Sequence, residues 1–304
     1  LVVIFLVIVA LPALAEEPLR WKFEQGQKLN YNMTQDMMIT PPVGPAGPQK
    51  MEMRQEMDMT WDVQSINEQH EAVIRQKFNR LKVKMTLPPP LGAIEYDSTA
   101  EAAPAGLAAL IEPLYKAMTK GEFLLTMTDR GEIKDVQIPE EVLAALKNSP
   151  GGAAMGEMAT PEGFKKVISQ SALVLPENPP QPNEQWSTTV EMTNPAGGKQ
   201  IIENAYRYEG IKEIEGTNYA VFRPSLTLKF DGAGDQVKIT NQESNGEILF
   251  DPAAGRLHSS IIMQKMTIEQ EPAGQTEIQQ VIEATVTPAE ENTPSEATNP
   301  PGEK

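Results

Sequence analysis

Residues 51–63 read Met-Glu-Met-Arg-Gln-Glu-Met-Asp-Met-Thr-Trp-Asp-Val, and their alternation decides the fold class. Successive side chains of a strand point to opposite faces. Met51, Met53, Met57, Met59, Trp61 and Val63 therefore share one face, with Glu52, Arg54, Glu56, Asp58 and Asp62 on the other. A strand with one apolar and one charged face belongs in an antiparallel sheet that has one wet side. The same period recurs outward in both directions. Leu29, Tyr31 and Met33 alternate with Asn30, Asn32 and Thr34, while Leu81, Val83, Met85 and Leu87 alternate with Lys82, Lys84 and Thr86. Leu226, Leu228 and Phe230, then Val237 and Ile239, then Ile248 and Phe250 continue the pattern. Turn chemistry agrees: Asp129-Arg-Gly131 and Asp251-Pro-Ala-Ala-Gly255 each set Asp ahead of a Gly that tolerates the left-handed conformation. Residues 66–69 and 215–218 form two more turn candidates.

The centre of the chain departs from period two. Residues 101–119 read as a helix broken or kinked near Pro113. Pro139 to Lys147 opens on Pro and two acids and ends on Lys, as a short helix prefers. Thr160 to Ile168 begins with an N-cap residue followed by Pro. Between these two, Asn148 to Ala159 is Gly-rich and expected to be mobile; after them, Leu175 to Pro182 is an extended, proline-rich connector.

The flanking halves correspond. Tyr31-Asn-Met-Thr-Gln-Asp-Met37 aligns with Trp186-Ser-Thr-Thr-Val-Glu-Met192, and Trp61-Asp-Val-Gln-Ser-Ile66 with Tyr208-Glu-Gly-Ile-Lys-Glu-Ile214. Leu81 to Met85 then aligns with Leu226 to Phe230, and Gly92 to Asp97 with Gly246 to Asp251. The conserved order suggests two similar meanders, about 19–98 and 183–287, around a helical insert and hairpin at about 99–182. The expected fold is mainly β: long antiparallel strands in one domain, 16–287, forming a curved sheet or incomplete barrel with the central helices over its concave side. Two facing sheets are the alternative.

Residues 1–15 run from an apolar stretch, Leu1 to Leu11, into Ala13-Leu-Ala15, the pattern of a signal peptide and its cleavage site. The absence of a Met and of a basic flank before Leu1 suggests a natural start further upstream. Residues 288–304 hold no large apolar side chain and are expected to be disordered. The expected location is extracytoplasmic, periplasmic or secreted.

Composition narrows the function. With 26 Lys+Arg against 42 Asp+Glu the formal charge is −16, and no basic cluster exists to displace counterions from nucleic acid or an anionic bilayer. Zero cysteines and two histidines leave few metal ligands and no thiol nucleophile. The methionine spacing suits Cu(I) thioether ligation, but strand period alone produces it, so no metal and no cofactor is expected. Asp97 and Asp251 occupy matching positions of the two halves, where an acid/base pair competes with a plain turn role for each. The Asp231 to Asp235 loop lacks a full calcium ligand set, and His70 and His258 have no partner motif. No catalytic constellation emerges, and the protein is not expected to be an enzyme.

Several motifs nonetheless carry a resemblance: the Trp21-Lys-Phe opening that runs to Tyr31, Glu95-Tyr-Asp-Ser98, Trp186 to Met192, and Phe250 to Leu257. Together with the exported start, they resemble a family of secreted bacterial proteins of unknown function over nearly all of 19–287. The inferred shape is similar to the periplasmic lipoprotein-carrier half-barrels, with no shared motif. The resemblance implies location and fold. The residues themselves suggest a non-enzymatic binding protein that holds a lipid-like or other apolar ligand in a sheet concavity lined by Met51, Met53, Met57, Met59, Trp61 and Met85. The alternative is a structural or protein-interaction component of the cell envelope with a solid core, partnered by another envelope protein.

Overall fold

A computed structural model describes residues 17–42, 49–149, 152, 156–193, 198–232 and 237–289. The expectations for the signal peptide, for the tail beyond Ala289, for Gly-rich residues 150–151 and 153–155, and for most of the Asp231 to Asp235 loop lie outside the described residues.

Among the described residues, twelve antiparallel strands form one open sheet. The first part of the chain supplies β1 (Lys28–Thr40), β2 (Met51–Ile66), β3 (Ala72–Thr86), β4 (Ala93–Asp97), β5 (Glu122–Met127) and β6 (Ile133–Gln137). The second supplies β7 (Gln185–Thr193), β8 (Lys199–Ile214), β9 (Thr217–Asp231), β10 (Val237–Asp251), β11 (Arg256–Gln270) and β12 (Gly274–Pro288). Their spatial order is β6-β5-β3-β2-β1-β12-β11-β10-β9-β8-β7, with β4 beside the end of β3. The first long strand pairs with the last, Tyr31 opposite Val286, so the two halves of the chain join in one sheet and not in two separate facing sheets. Hairpin chemistry acts locally as expected. At the β8–β9 turn Glu215 and Gly216 both have positive φ, 52° and 82°, which matches a tight turn to the twist of the strands.

One face of the sheet carries the core. At one end Val63, Ile74 and Leu125 of the first arm meet Tyr208, Phe222 and Phe250 of the second, with Trp21 and Leu175 in the same cluster. The arms therefore curl toward each other there, burying the large apolar side chains that stabilise the fold. The segment ahead of β1 ties the arms together: Trp21 N donates to Asp129 O (2.7 Å) and Lys22 N to Gly255 O (2.8 Å). Gly131 sits at φ 95° where a Cβ would lie 2.2 Å from Leu173 O, so only glycine fits the approach.

The insert contributes α1 (Ala108–Lys120), α2 (Glu140–Asn148) and α3 (Pro161–Ser171). The helix expected from 101 begins only at Ala108, because Gly106 turns left-handed (φ 61°), and it then continues through Pro113. Thr160 caps α3 as expected, its hydroxyl accepting from Gly163 N at 3.1 Å. Within the stretch expected to be mobile, Gly156–Ala159 instead forms a 3-10 turn. It is fixed by Glu157, which pairs with Lys166 (2.6 Å) and accepts from Thr193 N (2.6 Å). A second core lies beneath the helices, where Met57, Phe78, Leu81 and Phe123 pack with Val142 and Leu146.

The sheet ends at β6 and β7, and the insert bridges those two edges. Leu175 N donates to Arg130 O beside β6 (2.7 Å). On the β7 side, Trp186 Nε1 donates to Val174 O (2.7 Å), Tyr206 OH to Ala172 O (3.1 Å) and Asn204 Nδ2 to Gln170 O (2.7 Å). Edge strands invite pairing with foreign chains, and this bridge covers them.

Candidate functional site

Strand register arranges the inner face in rows that cross five or six strands. One row reads Met85, Met53, Met37, Gln280, Gln264, Ser244. On the core side of it stand Val83, Gln55, Gln35, Ile282, Ile262 and Gly246. On the far side stand Met51, Ile39, Ile278, Met266 and Gln242. No charged residue occupies any of these positions. Met37, Met51, Met53, Met85, Ile262, Ile278 and Ile282 are half-buried and belong to none of the four packed clusters. At the border of this wall, Ile202 and Leu228 of the second arm pack with Met266 and Ile239.

A polar thread crosses the same wall. Gln35 Nε2 donates to Gln280 Oε1 (3.2 Å), and Gln280 Nε2 donates to Gln264 Oε1 (2.7 Å). Beyond it the sheet forks. The β9–β10 ladder spans only Phe222–Ala220 against Ile248–Phe250. Further along, Leu226 N finds Ser244 Oγ (3.0 Å) and Leu228 N finds Gln242 Oε1 (2.7 Å), side chains standing in for strand carbonyls. Pro224, which has no N–H, sits where the ladder stops.

The outer face of these strands holds a concavity of about 560 Å3. Its lining includes Lys84, Arg54, Asp36, Val281, Met263 and Asn245, which form one row across the six strands. Part of its charge is paired: Arg54 binds Asp36 (2.7 Å) and Glu56 (3.3 Å), and Lys84 binds Glu95 (2.9 Å). Met263 lies among them 41% exposed.

The residues singled out by the methionine pattern separate into two groups. Met51, Met53 and Met85 come together with Met37 on the uncovered inner wall, and Met37 and Met53, with Gln264 and Gln280, also border the outer concavity. Met57 is buried under the helices, and Met59 packs against that same cluster. Trp61 donates from Nε1 to Gln76 Oε1 (3.0 Å) and lies 4.4 Å from the Tyr31 ring. The glutamines of the polar thread escaped the reading of alternation. The signal was present in Gln55, which interrupts the methionines between Met53 and Met57 on their own face.

The two matched aspartates each serve their own turn. Asp97 accepts from Arg80 Nη2 (2.6 Å), Thr99 N (3.0 Å) and Thr99 Oγ1 (2.8 Å), and the Arg80 guanidinium holds its carboxyl well below the usual carboxylate range. Asp251 accepts from Ala253 N and Ala254 N, both at 2.9 Å. Burial pushes the Tyr206 phenol up to about 12 and raises Tyr31 further. The Tyr31 hydroxyl is buried and has no hydrogen-bond partner among the described residues. His70 occupies the β2–β3 turn at φ 60°, and the His258 ring lies 4.6 Å from Tyr219. Among the described residues no helix is long and apolar enough to cross a membrane.

The chain belongs to the family of unknown function DUF6263, whose model matches residues 69–221. No curated protein matches it. Among solved structures it is similar to lipovitellin, in a structure described by its lipid–protein interactions, with TM-score 0.48 and 15% identity over 90% of this chain. The match takes in 27% of that chain, so the protein spans about a quarter of lipovitellin's length. An outer membrane channel from Pseudomonas putida F1 is similar at TM-score 0.33 and 9% identity, over 88% of this chain and 97% of the other. At these scores neither likeness bears on what the chain does.

Proposed function

We propose that this DUF6263 protein is an exported, non-catalytic binding protein that holds a lipid-like, apolar molecule against the inner wall of its open sheet. The observation that carries the reading is the set of three uncharged rows, whose methionines and isoleucines beyond the helices, Met266 apart, stay half-buried outside any packed cluster. Apolar surface left in this state gains about 25 cal/mol per Å2 when a ligand removes it from water. Methionine, unbranched and polarizable, adapts such a wall to a flexible chain. The signal-peptide pattern of residues 1–15 supports export.

Saturable uptake of dodecylpyrene by the protein without residues 1–15 tests this. Met53→Glu places a charge in the wall without disturbing a packed cluster, and should weaken uptake at least about tenfold. Absence of saturable uptake by the unmodified protein refutes the reading. A second reading, a protein-interaction component of the envelope, rests on the outer concavity, where exposed Met263 stands among paired charges.

A further inference from the structure

Gln55, Gln35, Gln280, Gln264 and Ser244 form a continuous polar band across five strands of the inner wall. The band divides apolar surface from apolar surface. Half-buried Met33, Ile282 and Ile262 lie on its core side, and Met53, Met37 and Ile278 on the other. Each side-chain amide carries two N–H donors and one carbonyl. The Gln35–Gln280–Gln264 chain uses one donor of Gln35 and one of Gln280, and no group among the described residues takes an N–H of Gln264 or Gln55. Further along the same face the buried Tyr31 hydroxyl also has no partner among the described residues. The wall therefore offers neutral donors in a strip flanked by hydrocarbon, and no charge to balance an ion.

Resting on the binding reading above, we infer that the ligand is an uncharged lipid bearing an ester or amide carbonyl, which accepts from this band while its chains lie on the apolar surface to either side. A carboxylate or phosphate brought to the same strip loses hydration with no cation to replace it, a penalty that an ester carbonyl escapes. The carbonyl also satisfies donors that would otherwise stay unpaired beneath a bound chain.

A pyrene-labelled long-chain fatty acid and its methyl ester share every atom of the chain and differ in charge, so their binding at pH 8 isolates the effect. The ester should bind about tenfold or more tightly than the acid, the ratio that 1.4 kcal/mol produces. Gln35→Leu combined with Gln280→Leu should lower the ester-to-dodecylpyrene affinity ratio about tenfold. A purely structural band would shift both probes and the unfolding midpoint together, leaving that ratio unchanged, and so would overturn the assignment. Equal binding of acid and ester overturns it as well, while leaving the apolar-binding reading intact if dodecylpyrene is still taken up. Failure of all three probes removes both.

Discussion

Met57 and Met53 stand on the same face of the same strand, four residues apart, and meet different neighbours. Met57 lies 8% exposed among Phe78, Phe123 and Val142, under the helical insert. Met53 lies beside Met37 and Met85 on the wall that the insert does not reach. One sequence period thus makes both a packed core and an open apolar surface. The difference is decided by which part of the sheet the helices cover, and the covered part is where stability concentrates.

The comparison breaks most visibly at Phe123, fully buried with Phe78 edge-on at 5.5 Å and Phe164 stacked at 5.8 Å. Phe123→Ala should cost about 3–5 kcal/mol in denaturant unfolding, the largest effect expected here. Paired substitutions sharpen the contrast: Met57→Ala should cost about 2–4 kcal/mol and Met53→Ala under about 1 kcal/mol, because only the first leaves a cavity. Equal costs at the two positions would show that the inner wall is packed throughout.

The smallest effect lies at the rim of the covered half. Asp97 ends β4, whose Tyr96 rests 5.2 Å from Tyr115 of α1. Asp97→Asn should lower the unfolding midpoint slightly at neutral pH through the weakened, partly exposed Arg80 contact. Because the folded-state carboxyl sits below its ordinary value, that contribution is complete above about pH 4 and disappears as pH falls through the lower folded value. Wild type and variant should therefore converge in acid. A gap that stays constant to pH 2 would mean that the turn geometry, and not the charge, carries the effect.

Much of this architecture was legible in local pattern. Alternation at 51–63, the Asp–Gly turns and the Thr160 cap act over a few residues, and backbone geometry reads them directly. Other features depend on partners far along the chain. The start of α1 is a local exception, moved to Ala108 by a left-handed Gly106. Residues 156–159 gained a fixed conformation from Lys166 and from the backbone of β7. The glutamine thread joins strands whose members are more than two hundred residues apart, Gln35 and Gln280, so no window of sequence displays it.

Residue by residue, then, the sequence by itself determined that the chain forms long antiparallel strands with one apolar face, because strand geometry sends alternate side chains to opposite sides. It also determined that helices interrupt them and that the surface is acidic. Only the tertiary structure decided that the first strand would lie against the last, that the insert would close the gap between β6 and β7, and which methionines would be covered. Those outcomes follow from long-range burial of apolar area, which depends on the whole sheet's curvature and not on any local preference.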